Sequence, residues 1–361
     1  MASIHKLPSG KWRAQIRRRG QYRADTFLTR EAAARWARAT EVALEKGELE
    51  PVPAQGPTVE ELARRYIEEY ARQHKRSWKR DHEHLERDVL PRLGEMLAGS
   101  VTRGDIREML SGVAARGAPV AANRVLAVCK KMWNWALDHE VSGIETNPCL
   151  RIKPPAPTRS KERVLTMSEI RTLLAALDRD EMPAGCRAWP TRATRVAIQL
   201  ILLTGQRPGE VAGMALTELD RQDGWWTIPG ERAKNGRAHR VPICAGAKRL
   251  IDEALALRLD PKSAYVFPSP RRSGGRRDRA IAAEAISRAV TRLREHVGIP
   301  HWTAHDLRRT CASHLAGLGV SREVIARLLN HTDRSVTSIY ERYGYGPEMR
   351  QALDRWEEAL A

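Results

Sequence analysis

The chain has 361 residues, more than the roughly 100 to 200 that one domain usually takes, so two or three domains are expected. Hydrophobic residues make up 42%, enough to pack real cores, which excludes a wholly disordered chain. The formal net charge of +18, from 62 Lys+Arg against 44 Asp+Glu, suits a polyanionic partner, most simply nucleic acid.

An anionic membrane surface is the competing polyanion. No long apolar run and no lipidation signal supports it, so no membrane partner is expected. The five cysteines (Cys129, Cys149, Cys186, Cys244 and Cys311) are odd in number, scattered, and without a Cys-x-x-Cys pair. That argues against a disulfide scaffold or a zinc cluster. The start leads into a polar, basic stretch rather than a signal-peptide core, so the cytoplasm is the expected compartment.

Residues 10–17 alternate well enough for a strand, with Trp12, Ala14 and Ile16 on one face. Residues 18–21 read as a turn and 22–27 as a second strand. Thr29 is a candidate N-cap for a helix whose Ala32, Ala33, Trp36 and Ala37 face the strands. Arg13, Arg17, Arg19 and Arg23 cluster on this hairpin. A two-stranded ribbon fits a DNA major groove, and basic side chains on it reach phosphates and bases. A solvated hairpin face explains the same arginines. The segment also resembles the arm-site-binding domains of phage-type integrases, through Gly10, Trp12, Phe27, Thr29, Glu31 and Ala32. Pro51, Pro53 and Gly56 mark a linker.

From residue 58 the pattern is helical. Thr58 to Glu61 forms a capping box. Leu62, Tyr66 and Ile67 give a stripe on a first helix. Trp78, His82, Leu85 and Val89 suggest a second, ended near Pro91. A third starts at Thr102, and a fourth runs over about residues 120–139. This reads as a four-helix domain. Lys75, Arg76, Lys79, Arg80, Arg124, Lys130 and Lys131 are phosphate-contact candidates, against the plain alternative that charged helix faces simply meet water. Trp133 and Trp135 read as packing residues. A Pro-rich strap follows, with Lys161 and Arg163 as further DNA candidates.

The remaining residues carry the chemistry. Thr166 opens a helix through a second capping box. A Val/Ile/Leu-rich helix ending near Thr204 delivers the turn Gly205 to Glu210. Gly205 permits a sharp exit and Pro208 can start the next helix, which sets Arg207 at a packed junction. Glu210 is placed to orient an arginine or a neighbouring backbone. Residues 225–229 and 239–243 read as strands, with Lys234 and Arg237 in their basic connection. A solvated hairpin lysine is the bland reading of Lys234; a mobile proton donor is the sharp one. His305 and Arg308 are three apart and share a helix face, while Arg309 points elsewhere. A helix ends at Asn330 and His331. Another is expected after Thr332, carrying Tyr340. The last 15 residues carry a stripe of Met349, Leu353, Trp356 and Leu360, able to pack in cis or on a neighbouring subunit.

Arg207, Lys234, His305, Arg308, His331 and Tyr340 together suit a phosphodiester-cleaving site. Two guanidiniums would hold non-bridging oxygens, the histidines would bind and balance charge, a lysine would protonate the leaving oxygen, and a tyrosine would attack.

In this order and spacing the chain resembles the tyrosine recombinases of the phage integrase family over nearly its whole length. The resemblance rests on Thr204-Gly205-Gln206-Arg207 with Glu210, on Lys234, on His305 and Arg308, on Leu329 and His331, and on Tyr340 nine residues later. Two departures stand out: Asn330 occupies a position that is often Gly, and Tyr340-Glu341-Arg342 replaces a common Tyr-x-His, with Tyr343 and Tyr345 close by.

The resemblance implies three domains. Residues 1–50 would be a small three-stranded sheet with a helix that binds arm-type DNA sites. Residues 57–150 would be an all-α, SAM-like core-binding domain. Residues 160–361 would be a mainly α catalytic domain with a small antiparallel sheet, as in type IB topoisomerases. It implies site-specific recombination through a 3′-phosphotyrosyl intermediate, with no cofactor and no metal. The partners would be double-stranded attachment-site DNA, further copies of the chain in a tetramer, an excisionase and a host DNA-bending protein, at the nucleoid of a bacterial host. A non-catalytic DNA-binding protein of the same fold, or a topoisomerase-like nicking-closing enzyme, is the alternative.

Overall fold

The computed structural model describes residues 3–6, 10–18, 21–46, 56–157, 162–184, 186, 188–270, 278–331 and 344–361. The chain divides into two compact units, Met1–Arg159 and Ser160–Ala361.

The first unit begins with an antiparallel sheet of β1 (Ser3–Lys6), β2 (Trp12–Arg18) and β3 (Gln21–Phe27), in that order. β2 and β3 pair from Trp12↔Phe27 to Arg18↔Gln21, so the hairpin is closed by two residues. Alternation turns Ala14 and Ile16 onto the buried face, against Ala33 and Ala37 of α1 (Arg30–Lys46). Thr29 caps that helix, its hydroxyl accepting from the N–H of Ala32 at 3.2 Å. β1 leaves little trace in the residue pattern; only the family resemblance called for a third strand.

Four helices follow: α2 (residues 59–74), α3 (78–93), α4 (Arg103–Ala115) and α5 (Pro119–Asp138). The Thr58 hydroxyl accepts from Glu61 N–H at 3.2 Å, and the Glu61 carboxylate accepts from Thr58 N–H at 2.9 Å. Leu62, Tyr66, Ile106, Met109, Met132 and Trp133 are fully or almost fully buried together. Trp133 also donates from Nε1 to Ala98 O at 3.2 Å, which settles it as a core residue.

α3 ends near Pro91, as expected, but runs two residues past it, to Leu93. Proline has no N–H to give, and the preceding turn, Leu85–Val89, opens to a π-turn in which Leu90 N–H reaches back to Leu85 O. The helix absorbs the missing bond and runs on to Leu93.

The second unit is built around α7 (Arg192–Thr204), which follows α6 (Met167–Asp178). Every residue of α7 from Arg195 to Thr204 is buried, as a helix apolar on all sides must be. Against it pack α6, α8 (Pro208–Ala212), α9 (Ala245–Ala256), α10 (Ala283–Val297), α11 (Ala304–Gly317) and α13 (Gly346–Leu360). α12 (Arg322–Leu328) lies between α11 and α13 in sequence and touches both. The antiparallel sheet has the order β4 (Leu219–Asp220), β5 (Trp225–Ile228), β6 (His239–Pro242), with Ile228 paired to His239. The two-residue β4 is too short for a sequence pattern to mark.

α13 packs in cis. Met349, Leu353 and Trp356 are buried, and Trp356 Nε1 donates to Leu202 O at 3.1 Å. The helix expected to carry Tyr340 lies outside the described residues, as does most of the Arg-rich loop 269–279. Among the described residues, no helix is long and apolar enough to cross a membrane.

Candidate active site

The site grows from the end of α7. Gly205 terminates that helix at φ +66°, and a Cβ there would stand 3.0 Å from Leu329 Cδ2 and 3.1 Å from Cys311 Sγ. Glycine is therefore needed twice, for the left-handed backbone and for the close approach. The chain turns at once into α8 with Pro208 in its first turn. Arg207, at the N-cap, is held from both ends by Glu210. The carboxylate accepts from Arg207 N–H at 2.8 Å and from Nη1 at 2.7 Å. Glu210 is buried, and the Arg207 side chain keeps 22% exposure.

α11 starts at Thr303, whose N–H and hydroxyl both donate to the Asp306 carboxylate, at 2.9 and 2.7 Å. Arg309 also pairs with Asp306, which takes it away from the face that carries His305 and Arg308. Arg308 is buried, donating from Nη1 to Gly205 O at 3.0 Å and from Nη2 to Leu329 O. Burial first, and then the neighbouring Arg207 guanidinium, lower its pKa to about 10, which leaves it a cation at neutral pH. A guanidinium has five N–H donors, so anchoring two of them leaves others for an anion.

His305 is at the protein surface, yet partial desolvation, then Arg308 and Arg309, lower its pKa. His331 follows the end of α12. Its pKa is lowered by partial desolvation first, then by Arg308, Arg207 and His305. Each ring feels the same two guanidiniums, so four of the six expected groups share one electrostatic neighbourhood. Lys234 is exposed at the tip of the β5–β6 hairpin. Tyr340 lies outside the described residues.

Three side chains that the sequence reading passed over hold this site together. Gln206 Nε2 donates to Leu328 O at 2.8 Å and to Thr204 O at 2.9 Å. His239 Nε2 donates to the same Leu328 O at 3.0 Å, and burial, its largest cause, pushes its pKa down to about 4. Asn235, next to Lys234, donates from Nδ2 to Asn330 Oδ1 at 2.7 Å. With Arg308, these bonds gather the α7 exit, the hairpin and the end of α12. Of these contacts only the departure at Asn330 was visible in sequence, as a residue standing where Gly is common.

The candidate DNA-contact residues differ in what they touch and in how exposed they are. Lys75 is tied to Asp81 and to the Tyr66 hydroxyl inside the helical domain. Arg163 pairs with Glu169, and Arg13 with Glu145. Lys131 lies over the Tyr70 ring at 4.7 Å and Lys79 over Trp78 at 5.8 Å. Arg76, Arg80, Arg124, Lys130 and Arg237 are exposed. Arg17 and Arg23 sit on β2 and β3, with side chains outside the description, and Arg19 and Lys161 lie outside it altogether.

The sequence of residues 163–345, half of the chain, matches the model of the phage integrase family. The chain belongs to that family. Residues 59–154 match the phage integrase central domain. This tyrosine recombinase is 29% identical over 223 residues to the tyrosine recombinase XerD of Neisseria meningitidis serogroup B, covering 60% of this chain and 70% of that one. It is 28% identical over 236 residues to XerD of Mycobacterium tuberculosis, covering 64% and 71%.

Among solved structures, its fold is similar to a lambda integrase dimer bound to a COC′ core site. The TM-score is 0.62 at 19% identity, over 95% of each chain. A lambda integrase tetramer bound to a Holliday junction gives 0.63 at 18% identity, over 92% of this chain and 96% of that one. The Tn1549 transposon integrase in complex with circular intermediate DNA gives 0.59 at 18%, over 82% and 98%. The protein is a site-specific DNA recombinase with a small N-terminal sheet, a helical domain and a mixed catalytic unit.

Proposed function

We propose that this tyrosine recombinase integrates or excises a mobile element by cutting and rejoining double-stranded DNA, using Arg207, Lys234, His305, Arg308, His331 and Tyr340 on one scissile phosphate. The observation that carries the assignment is the anchoring of Arg308 to Gly205 O and Leu329 O, beside an Arg207 fixed by Glu210. Two preorganised guanidiniums in a part-buried setting are what a pentavalent phosphate dianion requires.

On this reading the neutral His305 ring takes the phenol proton of Tyr340, the Tyr340 oxygen attacks phosphorus, and the bond to the 5′-oxygen breaks. Lys234 gives its proton to that oxygen, and the phosphate is left as a 3′-phosphotyrosyl ester. The ester conserves the bond energy, so rejoining needs no nucleotide cofactor. Arg207 and Arg308 take the non-bridging oxygens. The depressed pKa values keep His305 and His331 neutral near pH 7, as hydrogen-bonding ligands and proton carriers. Attack on the ester by the 5′-hydroxyl of a partner duplex then exchanges strands. That step brings four copies onto two duplexes, a reading supported by the fold shared with the lambda integrase tetramer on a Holliday junction.

The test uses supercoiled plasmids carrying the DNA that flanks the gene. A covalent protein–DNA adduct and recombinant product from a two-site plasmid are expected. Binding without adduct would leave a non-catalytic DNA-binding protein; adduct with relaxation and no recombinant would leave a nicking-closing enzyme.

A further inference from the structure

α12 ends in a Schellman turn. Asn330 N–H donates to Arg327 O at 3.0 Å and His331 N–H to Ala326 O at 2.9 Å, which makes Asn330 the left-handed residue of the turn, at φ +51°. Glycine is the residue of least strain there. Asparagine tolerates that backbone and adds an amide, and the amide has a partner. Asn235 Nδ2 donates to Asn330 Oδ1 at 2.7 Å, and Asn330 Nδ2 faces Asn235 Oδ1 at 3.4 Å. Asn235 Oδ1 also accepts from Arg237 N–H at 3.2 Å, which stiffens the hairpin tip around it. Each asparagine is next in sequence to a site residue: Asn235 follows Lys234, and Asn330 precedes His331.

The base of the same hairpin is fixed separately, by His239 on Leu328 O. On the β5 side of the tip Arg232 is held by Glu218 and Glu210 O and Ala233 is buried, so the amide pair adds the hold on the residue that follows the exposed lysine. We propose that the Asn235–Asn330 amide pair is a latch that sets the hairpin tip bearing Lys234 against the turn bearing His331, making both asparagines positioning residues for protonation of the leaving 5′-oxygen. This rests on the assignment of Lys234 as the proton donor. A flexible ammonium delivers a proton well only when its stem starts from a fixed place.

The test compares two duplexes of the cleaved core sequence, one with an ordinary scissile phosphodiester and one with sulfur replacing the bridging 5′-oxygen. A thiolate leaves without a proton, so the second duplex bypasses the lysine. Asn330→Gly keeps the left-handed turn and removes only the amide; Asn235→Ala removes the other half. Both variants are expected to form adduct about 10- to 100-fold more slowly on the phosphodiester and to come within about 3-fold of the unaltered protein on the sulfur duplex.

Unchanged rates on the phosphodiester, or equal slowing on both duplexes, would overturn the latch. Lys234→Ala is run beside them. If it is rescued by sulfur and the asparagine variants are not slowed, the latch alone fails. If Lys234→Ala is not rescued, the proton-donor assignment fails and the latch falls with it.

Discussion

Arg308 and Gly205, 103 positions apart in the chain, are joined by a hydrogen bond of 3.0 Å from Nη1 to the carbonyl oxygen. The second arm of the same guanidinium holds Leu329 O. One side chain thus fixes the segment that delivers Arg207 and the segment that delivers His331, before any substrate arrives. A lysine offers one compact ammonium and cannot span two carbonyls and a phosphate together. Arg308→Lys is expected to slow adduct formation by about 10²- to 10³-fold. It should also cost about 1.5–3 kcal/mol of stability for the lost charge-assisted bonds. Single-turnover cleavage and denaturant titration measure the two effects.

Glu210 acts through Arg207, which its buried carboxylate holds by backbone and side chain. Removing its carboxylate frees both the guanidinium and the N-cap N–H that it now holds. Glu210→Ala is expected to slow cleavage by about 10²-fold, because a guanidinium displaced by an ångström no longer matches the phosphate. The Kd for DNA should stay unchanged. Gel-shift titration beside single-turnover rates separates the two.

His239 predicts a pH-dependent stability. Its pKa in the folded chain is pushed down to about 4, from an ordinary 6.5, so the fold favours the neutral ring. Below pH 6.5 the unfolded chain takes up a proton that the folded chain refuses. Stability is therefore complete above about pH 6.5 and declines as pH falls toward 4, by up to an order of 3 kcal/mol from this ring. His239→Gln keeps a donor for Leu328 O and removes the titration. Its unfolding free energy should fall less between those two pH values than that of the unaltered protein. The slope that remains includes His305 and His331 and, at the acid end, Asp88, Glu169 and Asp252, whose pKa values are all lowered in the folded chain and act in the same direction.

The excess of positive charge should appear as a steep salt dependence of DNA binding. With 6 to 10 phosphates neutralised, affinity is expected to fall by roughly 10³-fold or more between 50 and 200 mM salt. Arg124→Ala, on an exposed face of α5, should reduce the logarithmic slope by about one. Lys75→Ala should instead lower stability, since its ammonium serves Asp81 and Tyr66. Filter binding at several salt concentrations, with thermal melts of both variants, checks this.

The parts of the site that were legible in sequence are those set by local spacing. The three-residue step from His305 to Arg308 puts both on one helix face, and the step from Arg207 to Glu210 closes a capping interaction. Capping at Thr58 and Thr166 was readable for the same reason. What sequence did not disclose depends on backbone carbonyls that meet only in the folded chain. The seat of His239 and Gln206 on Leu328 O is of that kind. Asn330 was noticed as an unusual residue, but its left-handed backbone and its bond to Asn235 need the third dimension. The π-turn that carries α3 past Pro91 was hidden because a proline usually stops a helix. The cis seat of Trp356 was one of two arrangements that an apolar stripe allows equally.

Tyr340 is the nucleophile on which the whole assignment turns. The most direct measurement is adduct formation by Tyr340→Phe and Tyr343→Phe on the core duplex, with the DNA-linked peptide identified by mass spectrometry. The expected result is no adduct from Tyr340→Phe, with binding retained, and normal adduct linked to residue 340 in Tyr343→Phe. Adduct persisting in Tyr340→Phe would contradict the assignment.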